Sequence, residues 1–164
     1  MDIYVVDTSS LLRNEDLFNC IRNGEIIIHL IVLEELDSIS KKKGQKAQKA
    51  RTIAEKLYKW KNRGSYRKGI KVSSNIIRFD DRLPNPQLFL RFGMDINKED
   101  NLLICVAKEI QEETEKKVIL VTNDRFFTLK AEMDLSVQTA PTTKYKKHKP
   151  KKHKGYVNAA PVYR

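Results

Sequence analysis

The stretch Ile3-Tyr4-Val5-Val6-Asp7-Thr8-Ser9-Ser10-Leu11-Leu12 decides how the rest of the chain is read. Four β-branched and aromatic residues stop at a carboxylate and three small hydroxyl residues, and an apolar pair then resumes. The pattern predicts a buried strand ending at Asp7 and a helix starting just beyond it. In an open parallel sheet such a junction is where ligands bind. The aspartate has two readings there. It can cap the helix, since Asp, Ser and Thr all accept hydrogen bonds from a first turn, or it can hold a metal or a phosphate.

A chain of 164 residues fits one domain and a tail, and it can bury a core without a disulfide or metal staple. No apolar run approaches the ~20 residues of a membrane span, and Met1-Asp2 followed directly by a strand does not read as a signal peptide. A soluble, cytoplasmic protein with no membrane partner is expected. Cys20 and Cys105 stand alone, without CxxC spacing or nearby histidines, which predicts reduced structural thiols.

Charge is distributed unevenly. Residues 141–164 carry +8 and residues 41–69 carry +11, which leaves −8 on the remainder of a chain whose net charge is +11. An acidic body with two basic segments suits a polyanion, because Lys and Arg gain affinity by releasing counterions from phosphates. Lys41, Lys42, Lys43, Lys46, Lys49 and Arg51 are the candidate nucleic-acid contacts. The plainer reading of a lysine-rich helix is a solvated face.

Outward from the opening stretch, residues 15–21 read as a short helix, 25–30 as a buried strand, and 31–39 as a helix with Val32, Leu36 and Ile39 inward. Residues 46–61 form a basic amphipathic helix whose apolar side includes Ala54, Tyr58 and Trp60. Core packing is the favoured role of Tyr58, although Tyr58, Trp60 and Tyr66 could all stack bases. A turn at 63–69, a strand at 76–79 and a long irregular connection over 80–96 follow. A helix begins near Asn97, a buried strand spans 118–122, a helix runs from 125 to 133, and a short strand takes 135–137. This order predicts an α/β fold, a parallel sheet with helices on both faces, over residues 1–140. Residues 141–164 read as a basic, disordered tail or linker.

Four acids fall at special positions: Asp7 and Asp124 at the ends of strands, Glu35 and Asp100 at or near the first turns of helices. In a parallel sheet all four face one edge. Converging carboxylates repel one another unless a divalent cation neutralises them, and the lack of His and Cys partners makes that cation hard, Mg²⁺ or Mn²⁺. Such a site activates water against a phosphodiester. Acids at strand and helix ends also serve as caps, so the spacing alone leaves both readings open.

The chain resembles the PIN-domain nucleases, and among them the PIN domain that precedes the ATPase in PhoH-like proteins. The matching pieces are Val5–Leu12, Val32–Asp37, Glu99–Ile104 and Leu120–Asp124, in the family's order. The resemblance implies a three-layer α/β/α sandwich and an Mg²⁺- or Mn²⁺-dependent endoribonuclease acting on single-stranded RNA, with Asp7, Glu35, Asp100 and Asp124 as catalytic metal ligands. It implies supporting contacts to metal, water or phosphate from Thr8 or Ser9 and from Thr122 or Asn123. Ser9 stands where the family more often has an asparagine, and is expected to replace it. Thr8 and Ser9 are then expected to take over the helix cap from Asp7.

No G-x-x-x-x-G-K-[ST] motif occurs, so the chain is a stand-alone nuclease or a fragment whose partner is a PhoH-like ATPase domain. A homo-oligomer is compatible with the pattern and not required by it. Aspartyl phosphatases of the haloacid-dehalogenase type need a second acid where Ser9 stands, and a receiver domain needs an acidic pair and a late lysine that are missing. The remaining rival is a catalytically silent PIN-like RNA-binding or scaffold module.

Overall fold

A computed structural model of the protein describes residues 1–147. Its strands are β1 (Asp2–Val6), β2 (Gly24–His29), β3 (Ile70–Val72), β4 (Asn75–Asp80), β5 (Val118–Val121) and β6 (Gln138–Ala140). Among the described residues they form one sheet in the order β3-β4-β2-β1-β5-β6. Every pairing is parallel except the β3–β4 hairpin. The helices are α1 (Thr8–Arg13), α2 (Leu17–Cys20), α3 (Leu30–Ser40), α4 (Gln45–Trp60), α5 (Pro86–Arg91), α6 (Glu99–Thr114) and α7 (Arg125–Leu129).

The chain runs from β1 outward to β2 and β4, then returns past β1 to β5 and β6. Right-handed crossovers in these opposite directions place α1–α4 on one face and α5–α7 on the other, the expected α/β sandwich. The reversal falls between β1 and β5, whose strands pair from Ile3↔Val118 to Val6↔Val121. A crevice opens at such a switch point, beyond the carboxyl ends of the strands.

The central strands are continuous apolar runs because both of their faces are covered. Ile3, Val5, Val6, Ile26, Ile27, Ile28 and all of β5 are buried. Gly24 is required by the close approach of Tyr4, since a Cβ there would lie 2.5 Å from the Tyr4 ring. Asn75 is buried and holds three backbone groups, accepting from Gly24 N–H and donating to the carbonyls of Phe18 and Ile21. It ties the start of β2 to α2.

Four local expectations are corrected. Residues 70–79 hold a hairpin, because Ser73 takes φ 53° in a turn without the Asn-Gly or Asp-Gly pair that marks hairpins in sequence. The connection over 80–96 contains α5, where Asn85 accepts from Gln87 N–H as N-cap and Pro86 occupies the first turn. The helix after Asp124 ends at Leu129 and widens into a π turn over Lys130–Asp134. The last strand lies at Gln138–Ala140, since Ser136 at φ 54° breaks the extended run between Leu135 and Val137.

Tyr58 is 67% exposed with Lys61 Nζ 3.9 Å above its ring, so the expectation of core packing fails. Ala54 is exposed as well. The apolar stripe of α4 is narrower than the sequence suggests and consists of Ala47, Ala50, Ile53 and Leu57. Trp60 packs edge-on against Phe18 and Tyr66 stacks on Phe79. Beyond β6, Tyr145 sits edge-on to Tyr4 at 5.6 Å and Asn14 donates to its carbonyl. Lys147 pairs with Asp16 at 2.5 Å. The start of the basic segment thus packs on the body, whereas residues 148–164 of the expected tail lie outside the described residues.

Candidate active site

The site is built at the crevice between β1 and β5. Asp7 follows the last residue of β1, and its N–H still donates to Val121 at 3.3 Å. The Ser10 hydroxyl donates to the same carbonyl at 2.9 Å, which locks the first turn of α1 to the end of β5. Asp7 is 7% exposed and is the N-cap of α1, accepting from Ser10 N–H at 2.7 Å and from the Ser9 hydroxyl at 3.2 Å. The expectation that Thr8 and Ser9 would take over the cap is wrong. The geometry explains why: the cap is the residue with extended dihedrals just before the helix, and that residue is Asp7 at φ −87°, ψ 165°.

Asp124 does the same for α7 across the crevice, accepting from Phe127 N–H at 3.0 Å. One carboxylate oxygen of each aspartate is engaged in these caps, Oδ1 in both cases. Thr122 is buried and its hydroxyl accepts from Asp124 N–H at 3.1 Å. Asn123 turns to Thr142, donating to its hydroxyl and accepting from its N–H, both at 3.1 Å.

The other two acids come from helices. Asp100 is in the first turn of α6, where the positive end of the helix favours an acid. Glu35 stands in the second turn of α3, near its start. Each feels the charge of other acids. Burial, the adjoining Glu99 carboxyl and Asp100 push Glu35 up to about 7, against a pull from Thr8. Asp100 is raised by partial desolvation and, with Lys130 opposing, by Asp124, Asp7 and Glu99. Glu99 is thus a member of the group that the motif reading passed over. It lines a shallow cleft with Glu34, Glu35, Ser38 and Ile39.

Burial and neighbouring acids both disfavour charge on these carboxylates, and the donors are all oxygen, as Mg²⁺ or Mn²⁺ requires. The buried Thr8 hydroxyl, beside Glu35, adds a further oxygen donor. By charge and donor type these residues fit a hard divalent cation. Among the described residues no group of three or more acids is already drawn together to ligation distance. Mg²⁺ commonly takes only one or two carboxylates directly and keeps several waters, so chemistry and spacing are compatible.

Of the basic candidates, Lys41 pairs with Asp37 at 3.0 Å on the surface, and Arg51 donates to the Ser40 carbonyl at the end of α3 at 2.7 Å. Lys42, Lys43 and Lys46 are exposed and Lys49 is half-buried. Lys130 was not singled out in the sequence. It donates to Asn101 beside Asp100 at 2.8 Å.

With this geometry in view, known proteins supply the lineage. The chain is 27% identical over 137 residues to Protein PhoH2 of Bacillus subtilis (strain 168), which covers 79% of the chain and 30% of that protein. It therefore spans under a third of the length of that relative. Its fold is similar to a domain of a functionally unknown protein from Methanocaldococcus jannaschii, with TM-score 0.51 and 16% identity, covering 85% of this chain and 90% of that one. A weaker similarity, TM-score 0.46 and 18% identity over 86% of this chain and 98% of the other, is to the structure of VapBC-1 from nontypeable Haemophilus influenzae. No helix among the described residues is long and apolar enough to cross a membrane. The family model for the PIN domain matches residues 4–140, and the chain belongs to the PIN domain family.

Proposed function

We propose that the protein is a divalent-metal-dependent endoribonuclease that hydrolyses phosphodiester bonds of single-stranded RNA. One observation carries the reading: burial and neighbouring acids together raise Glu35, beside Glu99 and Asp100, and raise Asp100, beside Asp124, Asp7 and Glu99 with Lys130 opposing. A protein gains no stability from such an arrangement, whereas a cation-dependent nuclease needs it.

In this reading Asp7, Glu35, Asp100 and Asp124 hold Mg²⁺ or Mn²⁺, with Thr8, Ser9, Thr122 and Asn123 around them. The ion supplies Lewis acidity at the phosphate and lowers the pKa of a water. Hydrolysis of the phosphodiester adds a water oxygen to phosphorus, breaks one ester bond to ribose and delivers a proton to the leaving oxygen. Asp7 and Asp124 are fixed by their caps, so ligand positions at the switch point are set before substrate arrives. Lys41, Lys42, Lys43, Lys46, Lys49 and Arg51 offer a basic track for the RNA backbone. The free, buried thiols of Cys20 and Cys105 suit a cytoplasmic setting. Similarity to PhoH2 over 30% of its length suits a nuclease body, residues 1–140 and the basic segment beyond it, that works beside a PhoH-like ATPase domain.

A second reading, a silent RNA-binding or scaffold module, is favoured by one observation: no metal-holding group is preformed among the described residues. The test is incubation of fluorescent single-stranded RNA with the protein in Mn²⁺, with EDTA and Asp7→Asn as controls. The nuclease reading expects cleavage that both controls abolish. Cleavage surviving both controls removes the proposed site, and tight binding without cleavage selects the scaffold.

A further inference from the structure

Lys130 opens the π turn that follows α7. Such wide turns are rare and concentrate at functional sites. The Lys130 ammonium donates to Asn101 Oδ1 at 2.8 Å. Asn101 is itself 3% exposed, and its amide nitrogen donates to the Asp95 carbonyl at 2.9 Å. Because that carbonyl can only accept, the donor end of the amide is committed to it and the acceptor end must face the lysine. A buried side chain is thus spent on orienting a cation beside Asp100.

The anchor is neutral, so it orients the ammonium without discharging it. An ammonium has three donors, and Asn101 uses one. A phosphodiester approaching Asp100 meets like charge from Asp124, Asp7 and Glu99, and the basic residues 41–51 belong to the α3–α4 side of the sheet. Lys130, on the opposite face, is the cation whose charge acts on Asp100.

We propose that Lys130 is a catalytic residue that binds a non-bridging oxygen of the RNA phosphate at the acid crevice, and that Asn101 positions it. The inference rests on the nuclease reading. Lys130 stabilises the negative charge that grows on the phosphate oxygens as water adds, and Asn101 holds its ammonium beside Asp100. The opposing pull of Lys130 on the Asp100 carboxyl agrees with this placement.

The test uses the full chain, a single-stranded RNA oligonucleotide under single-turnover conditions, saturating Mn²⁺, and a separate Mn²⁺ titration. Lys130→Met is expected to slow cleavage by roughly 10²-fold, the scale of losing one transition-state donor, with Mn²⁺ affinity unchanged or tighter. Lys130→Arg restores part of the rate. Asn101→Ala slows cleavage less than Lys130→Met, and the double variant is no slower than Lys130→Met alone. Wild-type cleavage matched by Lys130→Met overturns this inference alone. So does a loss that tracks weakened Mn²⁺ binding or a lowered melting temperature. A wild-type protein that cleaves no RNA overturns the nuclease reading and this inference together.

Discussion

Asp80 and Asp7 end parallel strands on the same edge of the sheet, two strands apart, and the protein partners them differently: Asp80 meets arginines, whereas Asp7 accepts from the Ser10 N–H and the Ser9 hydroxyl. Burial alone would raise the Asp80 pKa, but Arg82 and Arg78 hold it below the usual carboxylate range. Arg82 Nε donates to both Asp80 oxygens at 3.1 Å, and its guanidinium goes on to Glu113 at 2.7 Å. Near Asp7, burial and neighbouring acids raise Glu35 and Asp100 instead, with Lys130 opposing at Asp100. The same position in the fold therefore carries a structural acid on β4 and candidate functional acids at the β1–β5 crevice. What separates them is whether an arginine was supplied.

The sharpest way to break this contrast is to exchange its consequences. Asp7→Asn is expected to lower RNA cleavage by more than about 10²-fold, on the scale of removing a transition-state stabiliser. It should leave stability almost unchanged, because Asn caps a helix as well as Asp. Arg82→Ala should do the reverse. Leaving the buried Asp80 carboxylate, 6% exposed, without its partner costs about 3 kcal/mol, read as a drop in the denaturation midpoint, while the folded fraction keeps its activity. If Asp7→Asn destabilises as much as Arg82→Ala, Asp7 is a structural acid after all.

The pH dependence of stability should split the same way. Asp80 titrates below its unfolded value, so its contribution is present above the ordinary pKa of about 3.9 and is lost as pH falls through the lower folded value. Asp80→Asn removes that acid-side loss. Glu35 titrates above its unfolded value, so the folded state holds its proton more tightly and stability without metal declines as pH rises from about 4.3 toward the folded value of about 7. Thermal melts in EDTA should show this decline, on the order of 1 kcal/mol for a half-buried, solvent-screened carboxyl, and Glu35→Gln should flatten it. Mn²⁺ affinity should weaken as pH falls through the same range, since ligands must lose their protons to bind.

The smallest expected effect is electrostatic. Reversing Lys41, Lys42 and Lys43 together should weaken RNA binding and reduce the salt slope by about 0.7 for each phosphate that is no longer neutralised. An unchanged slope assigns them to a solvated face.

Much of this contrast was legible in the sequence, for identifiable reasons. The β1, β2 and β5 strands are unbroken apolar runs, and acids at their ends and at helix starts mark one edge of a parallel sheet. The hairpin, α5 and the exact place of β6 were not legible, because Ser73 and Ser136 adopt left-handed conformations without the usual residue signature, and Asn85-Pro86 looks like loop until its cap is seen. At the site, the motifs pointed to Asp7, Glu35, Asp100 and Asp124, but the arginine pairing that sets Asp80 apart is a tertiary fact. Glu99 and Lys130 were hidden for the same reason: what makes them notable is the neighbour each one meets in three dimensions. A Lys130 signal could have been found only by pairing the buried polar position Asn101, on the inward side of α6, with a cation elsewhere.

The most direct test of the contrast is a crystal structure grown in Mn²⁺ with anomalous data. The expected result is an Mn²⁺ peak about 2.1 Å from carboxylate oxygens drawn from Asp7, Glu35, Asp100 and Asp124, the distance typical of small hard divalent ions, and none at Asp80. Mn²⁺ absent from the crevice, or bound at Asp80 instead, contradicts it.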